Sequence, residues 1–188
     1  MKNRICIRLL IALGLVLILT NSCKKDNSTA LLAGDSYLGG KVAYILVNSD
    51  LGYDANVPHG LIAAPTDQSA GIIWWNGSSS ITGAIATAYG TGNANTNTIV
   101  TSQGAGSYAA KLCSDLVLGE YSDWYLPSKD ELFILYTNRL LIGNFASSSY
   151  WSSSEFSIGS ALLHGFSSGN QGSGGKGFLA NVRAVRSF

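Results

Sequence analysis

The chain has 188 residues with 12 Lys+Arg and 11 Asp+Glu, only 12% charged, and contains 22 glycines. After residue 22 the balance is 9 Lys+Arg against 11 Asp+Glu, a net charge of −2, which argues against a nucleic-acid partner because such proteins present a basic face. The 166 residues from Cys23 onward suffice for one domain with a core, and so low a charge content calls for a surface built from Ser, Thr, Asn, Gln and Gly.

Residues 1–22 open with Lys2, Arg4 and Arg8 and continue from Leu9 to Leu19 without a charge. That stretch is too short for a permanent membrane span and suits a signal peptide for export. Small and polar residues precede Cys23, and Lys24, Lys25 and Asp26 follow it, the layout of a bacterial lipoprotein site. The expectation is a lipid on Cys23 that anchors the chain to a membrane, through a tether over residues 23–38, with the domain occupying 39–188. Cys6 leaves with the signal and Cys23 carries lipid, so Cys113 has no disulfide partner. Its Ala-Ala-Lys-Leu-Cys setting reads as a buried helical position.

Along the domain, Lys41–Val47, His59–Ala64 and Gly71–Trp75 read as strands. Residues 78–106 are rich in Gly, Ser, Thr and Asn and read as a long loop, with a short helix beginning near Thr98. Ser107–Leu116 has the spacing of an amphipathic helix. A second helix begins at Ser128, where Ser128 and Glu131 form a capping box behind Pro127, and its apolar face is Leu132, Leu135, Tyr136 and Leu140. Ser149–Phe156, Ser160–Phe166 and Phe178–Phe188 read as antiparallel strands, with a flexible Gly/Ser turn over 167–177. The fold class is α+β, two helices packed on small antiparallel sheets with long Gly/Ser-rich loops.

Three stretches in this order carry a family resemblance: Gly119-Glu120-Tyr121-Ser122-Asp123-Trp124-Tyr125-Leu126-Pro127-Ser128-Lys129-Asp130-Glu131-Leu132, Tyr150-Trp151-Ser152-Ser153-Ser154-Glu155, and Val182-Arg183-Ala184-Val185-Arg186. Together they resemble the Lcl C-terminal domain family, over roughly residues 39–188. The skeleton is also similar to the formylglycine-generating-enzyme and C-type-lectin-like folds. The resemblance implies a C-type-lectin-like domain whose first and last strands pair, with Lys41–Val47 near the C-terminal strand. It further implies an adhesin-like binding role in which sulfated glycans are a ligand class, a class that a net charge of −2 disfavours.

No catalytic constellation stands out. Formylglycine-type chemistry needs paired cysteines, His59 and His164 lack zinc-site spacing, and the Glu-Pro-Asn or Gln-Pro-Asp calcium loops of true C-type lectins do not occur. The expected protein is therefore non-catalytic, without cofactor or metal, apart from an unspecific calcium role for Asp50 and Asp54. Candidate ligand-binding residues are Trp74, Trp75, His59, Asn76, Glu155, His164 and Asn170, with Tyr150 and Trp151 of the same type, because aromatic plates and planar polar groups read sugars. Trp124 and Trp151 also read as core, and alternation along a strand would send one of Trp74 and Trp75 outward. Glu155 with Arg183, and Arg186 with Asp123, are expected ion pairs. The functional expectation is a lipid-anchored envelope protein, exported and on the outer membrane, binding an extracellular glycan or surface protein. The alternative is a structural or assembly module of the envelope making only protein–protein contacts.

Overall fold

The computed structural model describes residues 30–188; the expected signal peptide, the lipid acceptor Cys23 and the tether as far as residue 29 lie outside them. In chain order the strands are β1 (Ser36–Tyr37), β2 (Gly40–Ile45), β3 (Gly60–Ala63), β4 (Ser69–Ile72), β5 (Ser149–Ser157), β6 (Ser160–Gly165), β7 (Gln171–Gly175), β8 (Ala180–Val182) and β9 (Val185–Ser187). The helical segments are α1 (Gly92–Gln103), α2 (Ala109–Ser114), α3 (Lys129–Thr137) and α4 (Arg139–Ile142). The α+β class holds, with four helical segments among the described residues rather than two.

One sheet runs β1-β2-β3-β9 and the other β4-β8-β5-β6-β7. In the first, β3 separates β2 from β9, so the C-terminal strand pairs with the third strand and not with the first. All four residues of β3 are buried, and Gly60 is required there: a Cβ would sit 2.0 Å from the Tyr44 carbonyl oxygen. The expected single strand over 178–188 divides at Arg183, placing β8 in one sheet and β9 in the other. β8 runs parallel to β5, and the remaining pairings are antiparallel.

α1 occupies much of what reads as a loop in the sequence. Its second half contains the short helix expected near Thr98; its residues are weak helix formers and show little apolar periodicity, because beside Ile99 the helix buries amides and hydroxyls. Asn95 Nδ2 donates to Ala86 O, Thr96 Oγ1 accepts from Leu126 N at 3.0 Å, and Gln103 Nε2 donates to Ser80 Oγ at 2.9 Å. The preceding stretch, 78–91, is irregular chain laid over β5.

α3 starts with the expected capping box: Ser128 Oγ accepts from Glu131 N, and Ser128 N donates to Glu131 Oε2 at 2.8 Å. Leu132 and Leu135 face the core, but Leu140 is 88% exposed. The helix ends at Asn138, whose Nδ2 donates to Ala43 O at 2.9 Å, and α4 then turns Ile142 inward in place of Leu140. The stretch 167–177 contains β7 rather than a free turn. Gln-Gly-Ser-Gly-Gly has little strand propensity, and its five-residue register with β6 supplies the order.

Candidate functional site

The residues expected to read a ligand do not gather on one exposed face. Trp74 and Trp75 follow β4 instead of belonging to it, so strand alternation does not govern them. Trp74 is fully buried with its Nε1 donating to Ser152 O at 2.8 Å, while Trp75 is half-buried against the same core. Asn76 is spent on α1, its N donating to Gln103 Oε1 at 3.1 Å and its Nδ2 to Gln103 O. His59 lies half-buried with Nδ1 3.2 Å from Phe188 O. Tyr150, Trp151 and Trp124 are core residues. Asn170 is exposed in the β6–β7 turn, where its carbonyl accepts from Gly165 N at 2.9 Å.

Glu155 and His164 are both buried, at separate places. Glu155 pairs with Lys176, not with Arg183, and accepts from Thr82 N and Gly83 N at 2.9 Å. Arg183 instead pairs with Asp67 at 2.7 Å, donates to carbonyls of Ala64, Gly143 and Asn144, and stacks 4.0 Å over Phe145. The expected pair of Arg186 with Asp123 is present at 2.7 Å, and Arg186 also covers the Tyr121 ring. His164 lies among Phe133, Tyr136 and Phe166, 4.4 Å from the Tyr136 ring centre.

The serines of the Tyr-Trp-Ser-Ser-Ser-Glu motif are buried as well, and they fasten the 78–91 chain and the α3 start to β5. Ser154 Oγ donates to Ala86 O at 2.8 Å and accepts from Lys129 N at 3.0 Å, and Glu155 N donates to Ala84 O at 2.7 Å. This seam positions Ala88 and Tyr89 beside α3, where a groove opens that the sequence does not announce.

The groove is about 440 Å³, lined by Tyr44, Ser49, Asp50, Leu51, Ala88, Tyr89 and Ile134. That volume lies in the range of roughly 300–1,000 Å³ common for small-ligand sites. Four segments build it, the chain carrying Ala88 and Tyr89 among them. β2 presents Tyr44 next to a register shift between Val42 and Tyr44, the β2–β3 loop supplies Ser49–Leu51, and Ile134 comes from α3. Tyr44 and Tyr89 meet edge to face with ring centres 5.8 Å apart. Leu51 is 99% exposed at the rim.

Asp50 fixes the loop: its Oδ2 accepts from the Tyr44 hydroxyl at 2.7 Å and from Val47 N at 2.8 Å. The hydrogen bond to Asp50 raises the Tyr44 pKa, and the Val47 amide, then the Tyr44 hydroxyl, hold Asp50 below the ordinary carboxylate value. Burial, with Glu131 beneath, raises the Tyr89 pKa. Both phenols are therefore neutral and Asp50 is ionised at neutral pH, with its Oδ1 accepting no hydrogen bond among the described residues. The wall is thus two uncharged aromatic rings beside a carboxylate acceptor. No sequence signal joins Tyr44 to Tyr89, since their meeting depends on the seam between residues 84–88 and β5.

Asp54, the other residue considered for calcium, accepts from Asn56 N at 2.8 Å, and no cluster of three or more acidic, His or Cys side chains forms among the described residues. Cys113 is buried in the core, and burial raises its thiol pKa.

No curated protein matches the chain. The family described as Lcl C-terminal domain matches residues 64–186, from the end of β3 to Arg186 in β9. All three motifs fall inside that span, in roles the structure makes specific: the α3 capping box, the β5 serine seam, and the two arginines at the crossing between the sheets. The chain belongs to the Lcl C-terminal domain family.

Proposed function

We propose that this is a lectin-like binding module of the cell envelope, held to the membrane by lipid on Cys23, which takes a weakly charged extracellular glycan in the Tyr44–Tyr89 groove. The observation that carries the reading is the groove itself. Sugars present C–H faces that pack on aromatic rings and hydroxyls that seek carboxylate acceptors, and Tyr44, Tyr89 and Asp50 supply both within one concavity of about 440 Å³. The low charge of the chain agrees with a neutral ligand better than with a sulfated one. A C-type-lectin-like reading of the fold draws support from β9 returning to the sheet that holds β1, β2 and β3.

The test is a glycan array followed by calorimetry with the best neutral hit. Tyr89→Ala should weaken binding by about tenfold, the loss of one stacking face. An array without hits, or a Tyr89→Ala protein that binds normally, removes the reading. For the anchor, Cys23→Ala should abolish lipid labelling and release the protein from membranes.

The assembly-module reading has its own observation. Ile81, Ile85, Phe156, Ile158, Phe178 and Leu179 are each more than half exposed, on segments joined by the Lys176–Glu155 pair. Cross-linking in intact cells that captures an envelope protein at Phe156, together with a blank array, would favour it.

A further inference from the structure

A second pocket, about 250 Å³, lies where α4 gives way to the chain entering β5, lined among others by Arg139, Asn144, Phe145, Ala146, Ser147 and Phe166. It shares no lining residue with the tyrosine groove. The pocket is small enough for one ring, below the usual range of roughly 300–1,000 Å³ for larger ligands.

Its charge distinguishes it. The three buried cations of the domain each have an acid: Lys176 has Glu155, Arg183 has Asp67 and Arg186 has Asp123. Arg139 pairs with no carboxylate among the described residues, and the pocket lining contains no acidic side chain.

The guanidinium is nonetheless held in place. Its carbon is 4.1 Å from the Tyr136 ring centre, and Nη1 donates to Tyr136 O at 2.8 Å. In the same lining, the Phe145 and Phe166 rings pack with centres 4.8 Å apart, with the Asp67-paired Arg183 lying 4.0 Å over Phe145. The Ser147 hydroxyl and Asn144 Oδ1 engage no partner among the described residues, while Asn144 Nδ2 is committed to Pro65 O at 3.2 Å.

A planar guanidinium with open donors matches the two oxygens of a carboxylate. A lone cation is a poor match for sulfated polymers, which need several together. We propose that this pocket binds the carboxylate of a six-membered-ring acid, the Arg139 fork taking the carboxylate and Phe145 with Phe166 taking the apolar face of the ring. Where the ring is a uronate, Ser147 and Asn144 read its hydroxyls.

The purified chain would be titrated with D-glucuronate and with benzoate while its amide resonances are followed, with glucose and inorganic sulfate as controls. Saturable shifts at residues 144–147 are expected with an acid and not with glucose. Glucuronate alone would mark a sugar ring and benzoate alone an aromatic one, and either outcome supports the carboxylate site. Arg139→Gln should weaken binding by about tenfold or more, with Arg139→Lys between the two because it keeps charge but loses the fork. Ala146→Trp should block the pocket while leaving Arg139 untouched, which guards against an Arg139 variant that misfolds. No saturable shift with either acid, tighter binding of sulfate, or undiminished binding in a folded Ala146→Trp protein would overturn the proposal. A blank glycan array at the tyrosine groove leaves these readouts unaffected.

Discussion

The Lys176 ammonium lies 2.5 Å from Glu155 Oε1 with both side chains withdrawn from water. Each partner is otherwise satisfied, Lys176 by Ser80 O at 3.1 Å and Glu155 by the amides of Thr82 and Gly83. Lys176 also sits 4.8 Å from the Trp74 ring centre. The pair thus clips residues 80–83 onto β5 and the turn after β7. Burial alone would push the Glu155 pKa up; the bonds from Lys176 and the two amides outweigh it and leave the value lowered.

Removing one member should cost more than removing both. Lys176→Met strands a buried carboxylate, and a loss of about 3–5 kcal/mol in urea unfolding is expected. Lys176→Met combined with Glu155→Leu should recover part of that loss. A double variant no more stable than the single would show that the clip, rather than the stranded charge, dominates.

His164 predicts an acid sensitivity. Both ring nitrogens are buried without a hydrogen-bond partner among the described residues, and burial, then the Arg139 charge, lower the pKa. The unfolded chain therefore takes up a proton more readily than the native one, so stability is lost as pH falls through about 6.5 and below. His164→Phe should flatten the change in urea midpoint between pH 7 and pH 5. An unaltered pH slope in a folded variant would contradict this account.

Glu131 has the opposite sign. Burial raises its pKa although it accepts from Ser128 N, Gly90 N and the Tyr125 hydroxyl. The native state holds the proton more tightly, so the group's contribution is most favourable in acid and declines as pH rises past about 4.3. Glu131→Gln should weaken that decline in a pH series of denaturation curves. Ser128→Ala, which removes the cap and one of the donors to Ala88 O while Thr91 still donates to it, should cost about 1–2 kcal/mol.

Gly92 tests how closely α1 meets this same carboxylate. A Cβ there would lie 2.2 Å from Glu131 Oε2 and 2.8 Å from Ser128 N. Alanine normally favours a helix over glycine, yet Gly92→Ala should destabilise by about 1–3 kcal/mol because it overpacks the site. A gain in thermal midpoint would show that α1 shifts freely against α3.

What could be read in the sequence follows from where the forces are local. The Ser128–Glu131 box depends on four consecutive residues, and it forms as expected. Cys113, Trp124 and Trp151 are core because their apolar bulk has nowhere better to go. Only the second half of α1, from near Thr98, is legible, because beside Ile99 its buried face is Asn95, Thr96 and Gln103, a polar set whose partners are distant carbonyls and hydroxyls. The Glu155–Arg183 pairing failed for a related reason: each has a closer partner, in Lys176 and Asp67, supplied by turns whose positions only the assembled sheets define. The aromatic candidates Trp74 and His164 carry the right chemistry for a ligand but are consumed by packing. Tyr44 and Tyr89, which remain at a groove, meet only because the buried serines of β5 draw the intervening chain against it.

The crossing at Arg183 sets an order in time as well as in space. Leu61 of β3 faces Ser187 of β9, so one edge of β3 stays without its partner until the ribosome has made residue 187. A chain arranged this way cannot complete its first sheet before β9 has been made, and such long-range pairing slows folding further. The proposed route of export calls for a polypeptide still unfolded when it reaches the translocation machinery. Late closure by β9 would lengthen that interval.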